Sequence, residues 1–143
     1  MSADLHELYQ QTILDHNRRP RNFRAIEGAP NAEGHNPLCG DRVTVYVRVE
    51  DDVVTDAGFQ GTGCAITMAS ASLMTESVKG NTVADVRALS DRLQRMLAMA
   101  PGSPVDHLGA LTALAGVRQF PIRVKCATLA WQALQDALDS VTP

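Results

Sequence analysis

Aromatic side chains are scarce. Three Phe, two Tyr and one Trp make up 4% of the chain, too few for the stacking platforms that bind single-stranded nucleic acid. Basic charge is also short: 13 Lys and Arg stand against 16 Asp and Glu, giving a formal net charge of -3 and a pI near 5.7. The chain therefore lacks the basic footprint that phosphate backbones and anionic membranes select, and neither is expected as a partner. No apolar run reaches the roughly 20 residues needed to span a bilayer. The segment from Met1 to Tyr9 carries Asp4 and Glu7 without an apolar stretch, unlike a secretory signal or transit peptide, so a cytoplasmic location is expected. Cysteine is limited to three positions, an odd number. In a reducing cytosol structural disulfides are rare, so these thiols are expected to be free or metal-bound.

What remains is an ordinary globular composition, 45% hydrophobic and 20% charged over 143 residues. It is read as a single domain spanning residues 1–143 with one core. Leu5, Leu8, Tyr9, Thr12 and Ile13 recur at helical spacing between Ser2, a plausible N-cap, and Pro20, which stops the helix. The stretch from Arg19 to Pro37 holds Pro20, Pro30, Pro37, Gly28 and Gly34 and reads as an irregular connection with room for an edge strand. From Asp41 to Glu50 the period changes to two, with Val43, Val45, Val47 and Val49 on one face. Asp51-Asp52 then reads as a hairpin turn and Val53 to Gln60 as the returning strand, ended by Gly61-Thr62-Gly63. Helices follow from Cys64 to Lys79, from the N-cap Thr82 through Leu97, and, shorter, from Val105 to Leu114. Pro121 opens a last helix on which Leu129, Leu134 and Leu138, with Ala130 and Trp131, face the core. The expected class is α+β: a small antiparallel sheet of about three strands covered by helices.

Chemistry concentrates at element ends. Cys39-Gly40-Asp41 precedes the alternating strand, Cys64 follows Gly61-Thr62-Gly63, and Cys126 falls early in the last helix. Glycines beside such residues let backbone and ligand approach closely. Three thiolates and one carboxylate form a four-ligand set of the kind zinc accepts. Their four negative charges exceed the two of zinc, so the amino-terminal ends of the helices at Cys64 and Cys126, with Arg123 and Lys125, are expected to offset the surplus and lower the thiol pKa values. Against this, an isolated cysteine is often an inert buried hydrophobe, and no short Cys-x-x-Cys pair is present. His35, four residues before Cys39, is read as a solvated or locally hydrogen-bonded loop residue more than as a replacement ligand, and His16 as a cap or brace for the first helix. His6 and His107 lie far from the cysteines in sequence. Met68, Leu73 and Met74 are read as core filling.

Three segments carry a further signal: Asn36-Pro37-Leu38-Cys39-Gly40-Asp41, Gly61-Thr62-Gly63-Cys64-Ala65-Ile66 with Ser70 and Ser72, and Arg123-Val124-Lys125-Cys126-Ala127. Together with Tyr9, Asp15-His16 and Pro20-Arg21-Asn22 they resemble the NifU/IscU family of iron-sulfur cluster assembly proteins, over nearly the whole chain. Lys125 stands where IscU scaffolds usually carry histidine, and Phe120-Pro121-Ile122-Arg123 replaces their Leu-Pro-Pro-Val-Lys motif. An extra helical segment lies between Cys64 and Cys126. These departures make the chain most similar to the SufU branch.

The resemblance implies an IscU/SufU-like fold and a zinc ion held by Cys39, Asp41, Cys64 and Cys126. It also implies acceptance of persulfide sulfur from a pyridoxal-phosphate-dependent, SufS-like cysteine desulfurase, whose histidine displaces Cys39 from the zinc. Cys39 is then the sulfur acceptor, with Cys126 as the alternative. Arg123 acts through a hydrogen bond to Cys126 or Asp41, against a reading as ordinary surface charge. The protein is a sulfur carrier more than a stand-alone enzyme, and the recipients are downstream iron-sulfur scaffolds or client proteins. Three other readings stand beside this one. A transient [2Fe-2S] cluster, or iron, occupies the same four residues of a scaffold; the site is a structural zinc module for interaction; or a cysteine acts as an ordinary catalytic nucleophile, although no His and Asp arrangement accompanies one.

Overall fold

The computed structural model describes residues 3–37, 40–105 and 108–141. Ser2, Cys39 and His107, all named above, lie outside the described residues, as does the side chain of Leu5. The elements run α1 (Ala3–Arg18), β1 (Asn31–Asn36), β2 (Asp41–Glu50), β3 (Val53–Thr62), α2 (Ala65–Val78), α3 (Val83–Ala98), a 3-10 helix (Gly109–Gln119) and α4 (Pro121–Val141). The three strands form one antiparallel sheet in the order β1-β2-β3. The α+β architecture expected from the sequence is present.

β2 shows why the sheet covers only one side. Val43, Val45 and Val47 are fully buried, while Arg42 and Arg48 are exposed and Thr44 and Tyr46 half-buried. A period-two strand must place these sets on opposite faces. Each buried valine contributes roughly 1.5–3 kcal/mol over leaving it in water. At the hairpin, Asp51 (φ 52°) and Asp52 (φ 62°) both have positive φ, the backbone of the two-residue I′ turn whose twist matches antiparallel strands. The register slips between Arg48 and Val49, a bulge that absorbs one extra residue on β3. β3 runs two residues beyond Gln60, because Gly61 and Thr62 continue to pair with Val43 and Arg42.

α2 is the central helix. Nine of its residues are buried, including Thr67, Ser70, Ser72 and Thr75, and a helix apolar on every side belongs inside. Its buried hydroxyls are satisfied by neighbours, as burial demands. Ser70 Oγ donates to the Ala127 carbonyl (2.6 Å) and accepts from Trp131 Nε1 (3.2 Å), joining α2 to α4. Ser72 Oγ accepts from the Arg21 N–H (2.8 Å) and lies 2.7 Å from His16 Nδ1, joining α2 to α1. His16 thus braces the first helix, as expected. α4 packs across β1 and β2 and against α2, with Leu129, Ala130, Trp131, Leu134 and Leu138 all buried. Met74 and Leu73 fill the core and Met68 packs at its edge. Thr82 caps α3 by accepting from the Asp85 N–H at 3.1 Å.

Two local expectations are revised. The helix anticipated from Val105 to Leu114 is a 3-10 helix that begins at Gly109. That glycine has φ 63°, and a left-handed residue cannot sit inside a right-handed α-helix running through it. Leu8, placed on the apolar side of α1 from its spacing, is 46% exposed, whereas Tyr9 and Ile13 face the core. No helix among the described residues is long and apolar enough to cross a membrane.

Candidate metal centre

Strand register brings the chemistry together. Arg42 pairs with Thr62, so Asp41 at the start of β2 lies beside the chain as it leaves β3 through Gly63 and enters α2 at Cys64. α4 crosses this corner and adds Cys126. One ligand atom each from Asp41, Cys64 and Cys126 lies within 4.8 Å of the others, with Asp41 and Cys126 buried and Cys64 half-buried. Among the described residues no other group of three or more His, Cys, Asp or Glu side chains meets this condition. Cys39 lies outside the described residues; β1 ends at Asn36, which pairs with Asp41.

The Asp41 carboxylate is 1% exposed and held at both oxygens. Oδ1 accepts the Cys64 backbone N–H at 2.9 Å, and Oδ2 accepts the Thr67 hydroxyl at 2.6 Å. Cys64 is the N-cap of α2 and makes no side-chain cap hydrogen bond, so Asp41 serves the helix start from another element. Gly63 is needed for this approach: a Cβ there would lie 3.0 Å from both Asp41 Oδ1 and Thr67 Cγ2. At Gly61, with φ 151°, a Cβ would sit 2.1 Å from the Arg42 carbonyl, which excludes any other residue without backbone movement.

The two described thiols differ. Burial alone would raise the Cys64 thiol, but the Thr67 hydroxyl, the first-turn amides of Thr67 and Ile66, and Cys126 outweigh it and hold Cys64 below its ordinary value. Cys126 is pushed up to about 12, first by burial and then by the neighbouring Cys64 and Asp41, with Arg123 acting in the opposite direction. This corrects the expectation that a helix start lowers both thiols. α4 begins at Pro121, so Cys126 sits in its second turn, beyond the first-turn reach of the helix dipole.

Arg123 and Lys125, grouped together in the sequence, part company in space. Arg123, three residues before Cys126 on the same helix face, hydrogen-bonds its sulfur. Lys125, one residue before it, turns to a cleft between β1 and α4 that His35 also lines. His35 is exposed on β1 and is not part of the ligand group; His6 lies against Tyr9.

Two contributors were not legible as such. Thr67 occupies the third position of α2, where a side chain reaches back toward the N-cap; that spacing from Cys64 was the available signal. Tyr9 is buried on α1, its phenol pushed up by burial and by the charge of Cys64 and drawn down by Arg123. A soft donor pair with one carboxylate in a buried corner suits a tetrahedral zinc ion better than the oxygen-only shells of magnesium or calcium.

Known proteins resemble this chain along most of its length. The sequence profile of the NifU-like N terminal domain matches residues 8–127. The chain is 40% identical over 134 residues to the zinc-dependent sulfurtransferase SufU of Bacillus subtilis, covering 94% of this chain and 91% of that protein. It is 37% identical over 136 residues to the iron-sulfur cluster assembly scaffold protein IscU of Streptococcus pyogenes, covering 95% and 86%. Among solved structures, a putative SUF-system scaffold protein from Fervidobacterium islandicum superposes with a TM-score of 0.83 at 34% identity, covering 93% of this chain and 98% of that one. A NifU-like N-terminal protein from Brucella abortus gives 0.84 at 28% identity, covering 96% of each. The chain therefore belongs to the NifU-like N-terminal domain family of iron-sulfur cluster assembly proteins, and within it is similar to SufU.

Proposed function

We propose that this protein accepts persulfide sulfur from a pyridoxal-phosphate-dependent cysteine desulfurase and passes it on to iron-sulfur cluster assembly, using a zinc-thiolate site made by Cys39, Asp41, Cys64 and Cys126. The observation that carries the reading is the convergence of the Asp41, Cys64 and Cys126 donor atoms within 4.8 Å. Likeness to a zinc-dependent sulfurtransferase along 94% of the chain supports it. Zinc bound there supplies positive charge that keeps thiols deprotonated at neutral pH. Asp41 contributes an oxygen donor, weaker toward zinc than a fourth thiolate, which suits a ligand set that must exchange.

Cys39 is the acceptor. Its thiolate attacks the terminal sulfur of the desulfurase persulfide; a new S–S bond forms to Cys39, the old one breaks, and the desulfurase cysteine leaves as a thiolate. No outside oxidant is needed, because the transferred sulfur is already at the persulfide level. Cys126 is the alternative acceptor, but its full burial disfavours attack from that position. Arg123, hydrogen-bonded to the Cys126 sulfur, offsets part of the site's negative charge. The partners are a SufS-like desulfurase and downstream scaffolds or recipients, in the cytoplasm.

A second reading, a scaffold for a transient [2Fe-2S] cluster at the same residues, draws on the likeness to IscU. The two separate in one experiment: metal analysis of protein purified without added metal, together with stimulation of a cysteine desulfurase with and without chelator. Near-stoichiometric zinc, chelator-sensitive stimulation, and loss of stimulation in Cys39→Ser are expected. Iron and acid-labile sulfide with visible absorption, and no stimulation, would overturn the sulfur-acceptor reading in favour of the scaffold.

A further inference from the structure

We propose that Thr67 is the positioning residue of this centre, and that its hydroxyl fixes the Asp41 carboxylate so that the metal is retained between transfers. The inference rests on the metal-site reading above and extends it to a residue that is itself no ligand. Thr67 Oγ1 lies 2.6 Å from Asp41 Oδ2 and 3.4 Å from Cys64 Sγ, so one buried hydroxyl touches donor groups from two different elements. It is fully buried, which leaves it no water to bond instead.

A hydroxyl has one proton to give. At 2.6 Å the carboxylate is its main acceptor, and the Cys64 sulfur at 3.4 Å is the weaker one. Oδ1 is already committed to the Cys64 N–H at 2.9 Å. The two bonds together remove the carboxylate's freedom to rotate about its own axis. They leave only the remaining lone pairs of each oxygen for a metal. A short aspartate at the head of a strand, buried among Gly63, Cys64 and Thr67, is thus presented in one orientation before a metal arrives. Outer partners of this kind typically contribute about 10–100-fold to metal affinity by orienting the ligand. Ser70 and Ser72 on the same helix cannot substitute, since their hydroxyls are engaged with Ala127, Trp131, Arg21 and His16.

The test uses Thr67→Val, which keeps the branched shape and removes the hydroxyl, and Thr67→Ser, which restores it. Zinc release to a chromophoric chelator is followed in the full chain, and the cobalt-substituted proteins are compared by visible absorption. Release from Thr67→Val is expected to be about 10–100-fold faster than from wild type, with Thr67→Ser close to wild type. The cobalt ligand-field bands should shift while the thiolate-to-cobalt charge-transfer intensity persists, because the thiolates still bind and only the oxygen donor is loosened. Unchanged release from Thr67→Val overturns the proposal. So does equally fast release from Thr67→Ser, which would assign the effect to packing of the methyl group. Loss of the thiolate charge transfer, signalling collapse of the whole site, overturns it as well. If wild-type protein binds neither zinc nor cobalt, the metal-site reading fails first and this proposal falls with it.

Discussion

The carboxylate of Asp41 accepts the backbone N–H of Cys64 at 2.9 Å, from the first residue of β2 to the residue that starts α2. Sheet and helix are therefore joined at the point where the candidate ligands meet. Removing the carboxylate takes its acceptor from the Cys64 N–H and leaves the buried Thr67 hydroxyl only the weaker sulfur contact at 3.4 Å. Asp41→Ala should cost about 1–3 kcal/mol per donor left unpaired. Asp41→Asn, which keeps an acceptor oxygen, should cost less. Denaturant unfolding of metal-free protein measures both, and equal losses in the two variants would refute the capping role.

Ser70 links α2 to α4 one residue beyond Cys126, donating to the Ala127 carbonyl and accepting from Trp131 Nε1. Ser70→Ala strands the indole N–H in a fully buried site, and a loss of about 1–3 kcal/mol is expected. Trp131 is the sole tryptophan, so its emission follows the transition directly. An unchanged unfolding midpoint would show that the link contributes nothing.

Gly116 exists for Tyr9. A Cβ at position 116 would lie 2.5 Å from Tyr9 Cγ, so Gly116→Ala forces the ring or the 3-10 helix to move, at about 1–3 kcal/mol. In the double variant with Tyr9→Ala the two losses should fall short of additivity, because the clash is gone. Strict additivity would mean that the ring and the glycine are not coupled.

His16 makes stability depend on pH. Burial, then the Arg21 charge, lower its pKa below the ordinary histidine value, while Glu76 and Asp15 act in the opposite direction. His16 Nδ1 lies 2.7 Å from Ser72 Oγ, which also accepts the Arg21 N–H, and Nε2 lies 3.9 Å from Glu76 Oε1. The unfolded chain therefore takes up the proton at higher pH than the native one. The contribution is complete above about 6.5 and is lost as pH falls through the lower native value. His16→Asn, which keeps an acceptor near the Nδ1 position, should remove this part of the pH dependence. Parallel stability curves for the two proteins from pH 7 to 5 would exclude His16 as its source.

The sequence by itself determined most of the scaffold. Alternation marked β2 from Asp41 to Glu50, Asp51-Asp52 marked the turn, and Thr82 and Pro121 marked two helix starts, because each signal is local and reads the same in any context. Asp41, Cys64 and Cys126 stood out as chemical groups beside glycines and element ends, and the family resemblance named them, with Cys39, as one ligand set. Only the tertiary structure decided how those three meet, since strand register and the path of α4 are long-range facts. It also decided that Cys126 lies past the helix start and that Arg123 faces its sulfur while Lys125 does not. Leu8 and the 3-10 helix depart from the sequence expectation for the same reason: spacing gives an apolar face, but what covers it, and where a positive φ interrupts it, is settled by packing. Thr67 is an unremarkable residue in the sequence; its importance comes from a carboxylate delivered by another strand.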